Sequence, residues 1–226
     1  MIKTKNLKKS FQNGNTQTEI LKGIDFEVSR GEFIAIMGRS GAGKSTFMYQ
    51  ISLLDEPTSG EVIIDGTNTH TMSNEEKTSF RLTKLGYVFQ DYALIPELTA
   101  LENVALPLLM QSTPKDKAFK VATEALTKVG LGEHLGQLPS QLSGGEQQRV
   151  SISRAIAHKP EILFADEPTA NLDNESSRTI MAIFNQLHKE GQTIIMVTHE
   201  EQYAKMSEKI IKLDDGKIVE EIKNKK

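Results

Sequence analysis

Hydrophobic positions change period several times along the chain. Ile24, Phe26 and Val28 alternate with Asp25, Glu27 and Ser29, the period-two pattern of a half-buried strand. Residues 2–37 as a whole read as strands, with Arg30-Gly31 as a turn before the apolar run Phe33-Ile34-Ala35-Ile36-Met37. Such an uninterrupted run predicts a strand covered on both faces. Lys44 to Leu54 has helix-forming character. Glu61 to Ile64 reads as a strand stopped by Asp65-Gly66, a hairpin signal.

Residues 91–158 read as mostly helical. Within 115–130, Ala118, Val121, Ala122, Ala125, Leu126 and Val129 share one helical face before Gly130 stops it. A second apolar strand is expected at 161–166. Ile180, Ile183, Phe184 and Leu187 then recur at helical spacing until Gly191. A third apolar strand runs from Thr193 to Thr198, and Asp214-Asp215-Gly216 turns between two short final strands. Strands alternating with helices predict an α/β fold on a mostly parallel sheet. The expected organisation is one domain over 1–226, with 1–90 and 159–226 as its core and 91–158 as an inserted helical lobe.

Composition narrows the class. The chain has 226 residues, 38% hydrophobic and 25% charged, ordinary for a globular protein and wrong for a disordered or fibrous one. Lys plus Arg is 27 and Asp plus Glu is 30, a formal charge of −3. That balance gives no global support for binding duplex nucleic acid through its phosphates. No cysteine is present, so disulfides, thiolate catalysis and Cys-based zinc sites are excluded. The N-terminus Met1-Ile2-Lys3-Thr4-Lys5 has no apolar core of the secretion-signal kind. The apolar stretch Val104 to Met110 is interrupted by Pro107 and falls far short of the roughly 20 residues a spanning helix needs. The tail Lys223-Asn224-Lys225-Lys226 is expected to be a solvated end.

The first chemical signal is Gly38-Arg39-Ser40-Gly41-Ala42-Gly43-Lys44-Ser45, followed by Thr46. It has the G-x-x-x-x-G-K-[ST] spacing of a P-loop, after an apolar strand and at the start of a helix. Glycines let the backbone curl so that successive N–H groups face phosphate oxygens. The helix dipole adds partial positive charge at the same place. Lys44 brings a full charge for the β and γ phosphates. The Ser45 hydroxyl is a hard oxygen ligand of the kind Mg²⁺ takes.

Two further groups accompany it. The strand Ile162-Leu163-Phe164-Ala165-Asp166 ends in a carboxylate, with Glu167 one residue on. Strand ends of this kind lie at the carboxyl edge where α/β folds bind ligands. Asp166 is expected to hold magnesium through water, and Glu167 to polarise an attacking water. Ser143-Gly144-Gly145-Glu146 opens a long helix with a hydroxyl and bare backbone N–H groups, which resembles a second anion site.

In this order, the set resembles the nucleotide-binding subunit of ATP-binding cassette (ABC) transporters over nearly the whole chain. The resemblance implies a P-loop NTPase fold, mostly parallel sheet core with an N-terminal antiparallel β subdomain and an inserted helical subdomain. Gly38 to Ser45 match the Walker A loop, Ile162 to Asp166 Walker B, and Glu167 the catalytic glutamate. Leu142 to Glu146 match the signature motif, which in the family reads the γ-phosphate of the opposite subunit. Gln90, after Tyr87-Val88-Phe89, matches the Q-loop glutamine linking magnesium and the attacking water to the transmembrane partner. Asn171-Leu172-Asp173 match the D-loop at the dimer seam, and His199 the switch histidine near the γ-phosphate. Phe11 matches the position of an adenine-stacking aromatic that is usually Tyr. Glu146 stands where many members carry Gln, and Arg39 where Pro is frequent. An added negative charge at Glu146 is expected to weaken triphosphate binding unless it points at the ribose.

The same resemblance implies an ATPase using ATP and Mg²⁺ that dimerises around two nucleotides. The partners implied are a second ATPase subunit and an integral membrane permease, received near Asp91 to Glu102, with no nucleic acid. The location implied is cytoplasmic, peripheral on the inner face of the membrane through that permease. Gly86-Tyr87-Val88-Phe89-Gln90 and Leu94 to Val104, with Ala165 to Asp173, look like the subgroup of lipoprotein-releasing transporters, macrolide and antimicrobial-peptide exporters and a cell-division ATPase. The alternative is a regulatory ATPase of the same family that gates a cell-envelope process without moving solute.

Overall fold

The structure, a computed structural model, describes residues 1–14 and 16–224. Lys225 and Lys226 of the expected solvated tail lie outside the described residues. In chain order the elements begin with β1 (Ile2–Asn13), β2 (Thr16–Val28), β3 (Phe33–Gly38), α1 (Lys44–Ile51), β4 (Ser59–Ile64), β5 (Thr67–Asn68) and α2 (Asn74–Lys84). Next come β6 (Leu85–Val88), α3 (Ala100–Met110), α4 (Lys115–Lys128), α5 (Gly144–Ile156), β7 (Ile162–Asp166) and α6 (Asn174–Lys189). The chain closes with β8 (Thr193–Val197), α7 (Glu201–Ala204), β9 (Lys209–Asp214) and β10 (Lys217–Lys223). These elements fall into two compact units, residues 1–81 with 191–226, and residues 82–190.

In the first unit, β1 and β2 form a long antiparallel ribbon, paired from Ile2 opposite Val28 to Asn13 opposite Thr16 with register shifts between Thr4 and Leu7, Leu7 and Lys8, and Lys9 and Ser10. β1 also pairs antiparallel with β4, giving the order β2-β1-β4-β5. The alternation read from β2 is real: Ile24, Phe26 and Val28 are buried while Asp25 and Glu27 are exposed. The Phe26 ring meets Phe47 of α1 edge-on at 5.3 Å, an arrangement that aromatic quadrupoles favour. β3 lies between β8 and β9 and runs parallel to both, and β10 returns antiparallel on β9. Phe33, Ile34, Ala35 and Ile36 of β3 are all fully buried, which is why that strand carries no polar alternation.

Helix α2 has no buried residue, and no apolar stripe in the sequence announced it. Polar links hold it instead. Ser73 and Glu76 cap its start reciprocally, the Ser73 N–H donating to the Glu76 carboxylate at 2.7 Å. Arg81 donates to the carbonyl of Leu53 at 2.7 Å and Lys77 pairs with Glu56 at 2.5 Å.

In the second unit β6 runs parallel to β7, Leu85 opposite Ile162 through Val88 opposite Ala165. Helices α3, α4 and α5 enclose an apolar core that includes Val104, Leu108, Ala118, Ala122, Leu126 and Val150. The face read from α4 therefore points inward. Helix α3 starts at a capping box, with Thr99 and Glu102 satisfying each other's backbone N–H. Among the described residues no helix is long and apolar enough to cross a membrane.

Candidate functional site

The P-loop belongs to the first unit. Gly43 caps α1 at φ 96°, in the left-handed region where only glycine is unstrained. Lys44 is buried, and its Nζ donates to the carbonyls of Gly38 and Arg39 at 3.0 and 3.1 Å. The ammonium is thus folded across the loop and held by neutral dipoles, keeping its charge for an anion. Arg39, Ser40 and Gly41 are exposed, Ala42 is buried, and Ser45 and Thr46 are half-buried. The turn is closed by Ala42 N–H donating to the Arg39 carbonyl at 3.2 Å. Gly216 N–H donates to the Ala42 carbonyl at 3.1 Å, so the β9–β10 turn backs the loop.

His199 follows β8 and lines, with Met37, Gly38, Arg39 and Lys212, a cavity of about 510 Å³. The first unit thereby gathers the start of the P-loop and the histidine about one opening. Phe11 is 46% exposed on β1. The Lys9 ammonium sits 5.0 Å from its ring centroid and is anchored by Asp55 at 2.7 Å and by the Glu56 carbonyl at 2.7 Å. The Asp55 carboxyl is lowered: burial, the largest single influence, pushes it up, and the hydrogen bonds from Lys9, Gln50 and Glu56 together outweigh it. No sequence motif marks Lys9 or Asp55. Their only signal is that Lys9 and Phe11 lie two apart on one strand.

The second unit carries the other groups. Asp166 ends β7 and is 5% exposed. Glu167, half-buried, has φ 44°, an uncommon conformation for a residue with a side chain and one found at sites where surroundings impose it. Gln90 is exposed, two residues after the end of β6. The loop after it is unusual, since Tyr92 and Ala93 both have positive φ, 63° and 48°. It is held from several sides. Arg154 of α5 donates to the carbonyls of Ala93 and Tyr92 at 2.6 and 3.0 Å. Asn171 donates to the Gln90 carbonyl at 3.1 Å. Buried Asn103 of α3 donates to the carbonyls of Ile95, Leu98 and Thr99 and accepts from the Ile95 N–H. Sequence periodicity shows neither Arg154 nor Asn103, because both act on backbone atoms of a distant segment.

Ser143 caps α5 in a capping box with Glu146. The glycines between them lie close to neighbouring side chains. A Cβ on Gly144 would stand 2.9 Å from the Tyr92 hydroxyl, and one on Gly145 2.7 Å from Ser176 Oγ. Asp173 caps α6, accepting from the Ser176 N–H at 2.7 Å, and that bond draws its carboxyl below the usual range. Glu146 is lowered likewise, first by the backbone N–H of Ser143. The serine at a glycine-opened helix start, with the helix dipole behind it, can receive an anion. The Lys44 loop of the first unit can do the same.

Known proteins resemble the chain in sequence and fold. The sequence model described as ABC transporter matches residues 21–170. The chain is 50% identical over 220 residues to an uncharacterized ABC transporter ATP-binding protein of Methanocaldococcus jannaschii, covering 97% of this chain and 98% of that one. It is 46% identical over 222 residues to the lipoprotein-releasing system ATP-binding protein LolD of Aquifex aeolicus, covering 98% and 97%. It is 45% identical over 219 residues to the macrolide export ATP-binding/permease protein MacB of Aggregatibacter actinomycetemcomitans, covering 97% of this chain and 34% of that longer one. Its fold is similar to the dimeric structure of a post-hydrolysis state of the ATP-binding cassette MJ0796 bound to ADP and Pi, with TM-score 0.92, 41% identity and 100% of both chains covered.

Proposed function

The chain belongs to the ABC transporter family as an ATP-binding, ATP-hydrolysing subunit, and from that premise we propose how its residues divide the chemistry. The P-loop, Gly38 to Thr46, wraps the phosphates of ATP with its backbone N–H groups. Lys44 neutralises the β and γ phosphates, and Phe11 stacks on the base. Glu167 holds the attacking water and accepts its proton, with His199 and Gln90 bordering the γ-phosphate. General-base help of this kind contributes about 10²–10⁴ in rate. The remaining acceleration comes from positioning and charge.

The residues proposed for magnesium are Ser45, Gln90 and Asp166. Each offers an oxygen, as a hydroxyl, an amide and a carboxylate at a buried strand end, the donor type that suits this hard cation. When bound, Mg²⁺ supplies charge neutralisation at the β and γ oxygens.

The second anion-receptive surface, Ser143 to Glu146, acts on the nucleotide held by another copy of the chain. ATP thus closes a pair, and hydrolysis opens it. The dimeric form of the related cassette supports this reading. The subunit drives a membrane permease of the exporter or mechanotransmission type and sits at the inner membrane face through it. Support for the permease type comes from the relatives: LolD belongs to a lipoprotein-releasing system, and MacB is an export ATP-binding/permease protein. The loop 91–99, held by Arg154 and Asn103, is the proposed contact for the permease.

The single observation carrying the catalytic assignment is Glu167 fixed at φ 44° immediately after the buried carboxylate Asp166. The experiment is Glu167→Gln. Bound ATP is expected to be retained, phosphate release to fall by about 10²–10⁴, and light scattering to show a lasting dimer. Undiminished hydrolysis would remove Glu167 from the chemistry.

A further inference from the structure

Ser143 and Glu146 make the same three contacts as Thr99 and Glu102 at the start of α3, but here the capping hydroxyl is the one proposed to meet a nucleotide. In an ordinary capping box the serine oxygen accepts from the N–H three residues on, and the carboxylate accepts from the serine N–H. Both bonds exist here, at 3.4 and 2.8 Å. A third contact engages the hydroxyl itself. Ser143 Oγ lies 2.8 Å from Glu146 Oε2. A carboxylate has no proton to give, so the hydroxyl donates. A serine hydroxyl carries one proton, and in this state it is committed to the chain's own carboxylate. The other carboxylate oxygen, Oε1, faces His134 at 3.8 Å. Arg149 adds its field to the same group.

We propose that Glu146 is a positioning residue that gates the signature serine: its carboxylate occupies Ser143's only proton as an internal stand-in for phosphate, and a nucleotide presented by a second copy must displace it. This rests on the reading that Ser143 meets a nucleotide across a dimer. Closing then exchanges one acceptor for another. The hydroxyl proton turns from Glu146 Oε2 to a phosphate oxygen, and the carboxylate keeps the Ser143 N–H so the helix stays capped. The exchange has a threshold, because a bond to a charged acceptor is about twice as strong as one to a neutral acceptor. The carboxylate also repels the arriving anion. Glutamine at this position keeps the shape and the cap, since an amide oxygen accepts the same N–H. It holds the hydroxyl less firmly and lacks the charge.

The test compares Glu167→Gln with the double variant Glu167→Gln/Glu146→Gln, by light scattering over a series of protein concentrations at saturating ATP and Mg²⁺. The gate predicts that the double variant pairs at a roughly fivefold or more lower concentration, the difference between a charged and a neutral acceptor. A capping role alone moves the midpoint in neither direction for Gln and raises it for Glu146→Ala, so the sign separates the two. A midpoint unchanged or raised in the double variant, with the parent pairing normally, overturns the gate. A parent that never pairs with ATP overturns the underlying dimer reading instead.

Discussion

Arg154, in the last turn of α5, holds the carbonyl oxygen of Ala93 at 2.6 Å. The same helix begins at Ser143, so one rigid rod joins the proposed trans-acting serine to the loop that follows Gln90. Tyr92 and Ala93 stand in left-handed conformations, which cost free energy unless surroundings impose them. The guanidinium is that imposition. Arg154→Ala is expected to speed hydrogen exchange of the amides at 91–96 while those of α4 stay protected. Its cost in stability is about 1.5–3 kcal/mol, the range for a hydrogen bond to a charged group. Unchanged exchange in the loop would show that the guanidinium does not hold it.

Asn103 supports the same segment from α3. It is fully buried and satisfies backbone groups of Ile95, Leu98 and Thr99. Asn103→Leu fills the same space but leaves those groups without their partner. Each unsatisfied buried group costs about 1–3 kcal/mol. A urea midpoint clearly below that of the parent protein is the expected result, and ATPase coupling to the permease should weaken with it.

Phe11 offers a ring half open to solvent, with Lys9 anchored over it by Asp55. Phe11→Leu is expected to weaken ATP binding by about 1–3 kcal/mol, the worth of a base–aromatic stack. Inorganic triphosphate lacks a base, so its affinity should not change. Phe11→Tyr should restore ATP binding. Calorimetric titration with the two ligands separates a stacking role from a merely structural one.

His158 is the clearest acid-sensitive group. Burial draws its pKa below the ordinary histidine value of 6.5, against a smaller opposing effect of its hydrogen bond to the Leu85 carbonyl. The folded state therefore holds it neutral, while the unfolded chain protonates at the ordinary value. As pH falls below about 6.5 the unfolded state binds the extra proton, so stability present above that pH declines toward the depressed native pKa. His158→Gln should remove this part of the decline. Thermal melts of both proteins from neutral to mildly acidic pH check it, and parallel curves would assign the acid sensitivity elsewhere.

The chemistry-bearing stretches were legible in the chain alone because each is local. The glycine-rich spacing of Gly38 to Ser45 and the apolar run Phe33 to Ile36, which is buried, both fall on consecutive residues. The inward face of α4 and the alternation of β2 were legible because burial repeats with the period of the element. Helix α2 was not, since none of its residues is fully buried and polar ties hold it; the Ser73–Glu76 spacing was its one local sign. What only the tertiary structure decided are contacts between distant segments: Arg154 on Ala93, Asn103 on Ile95, and Lys9 on Asp55. It also decided that the Ser143 proton turns to Glu146 and that Glu167 is bent to positive φ. Periodicity records which side of an element meets the core. It carries no record of which backbone carbonyl a side chain will reach, because that depends on where the chain returns in space.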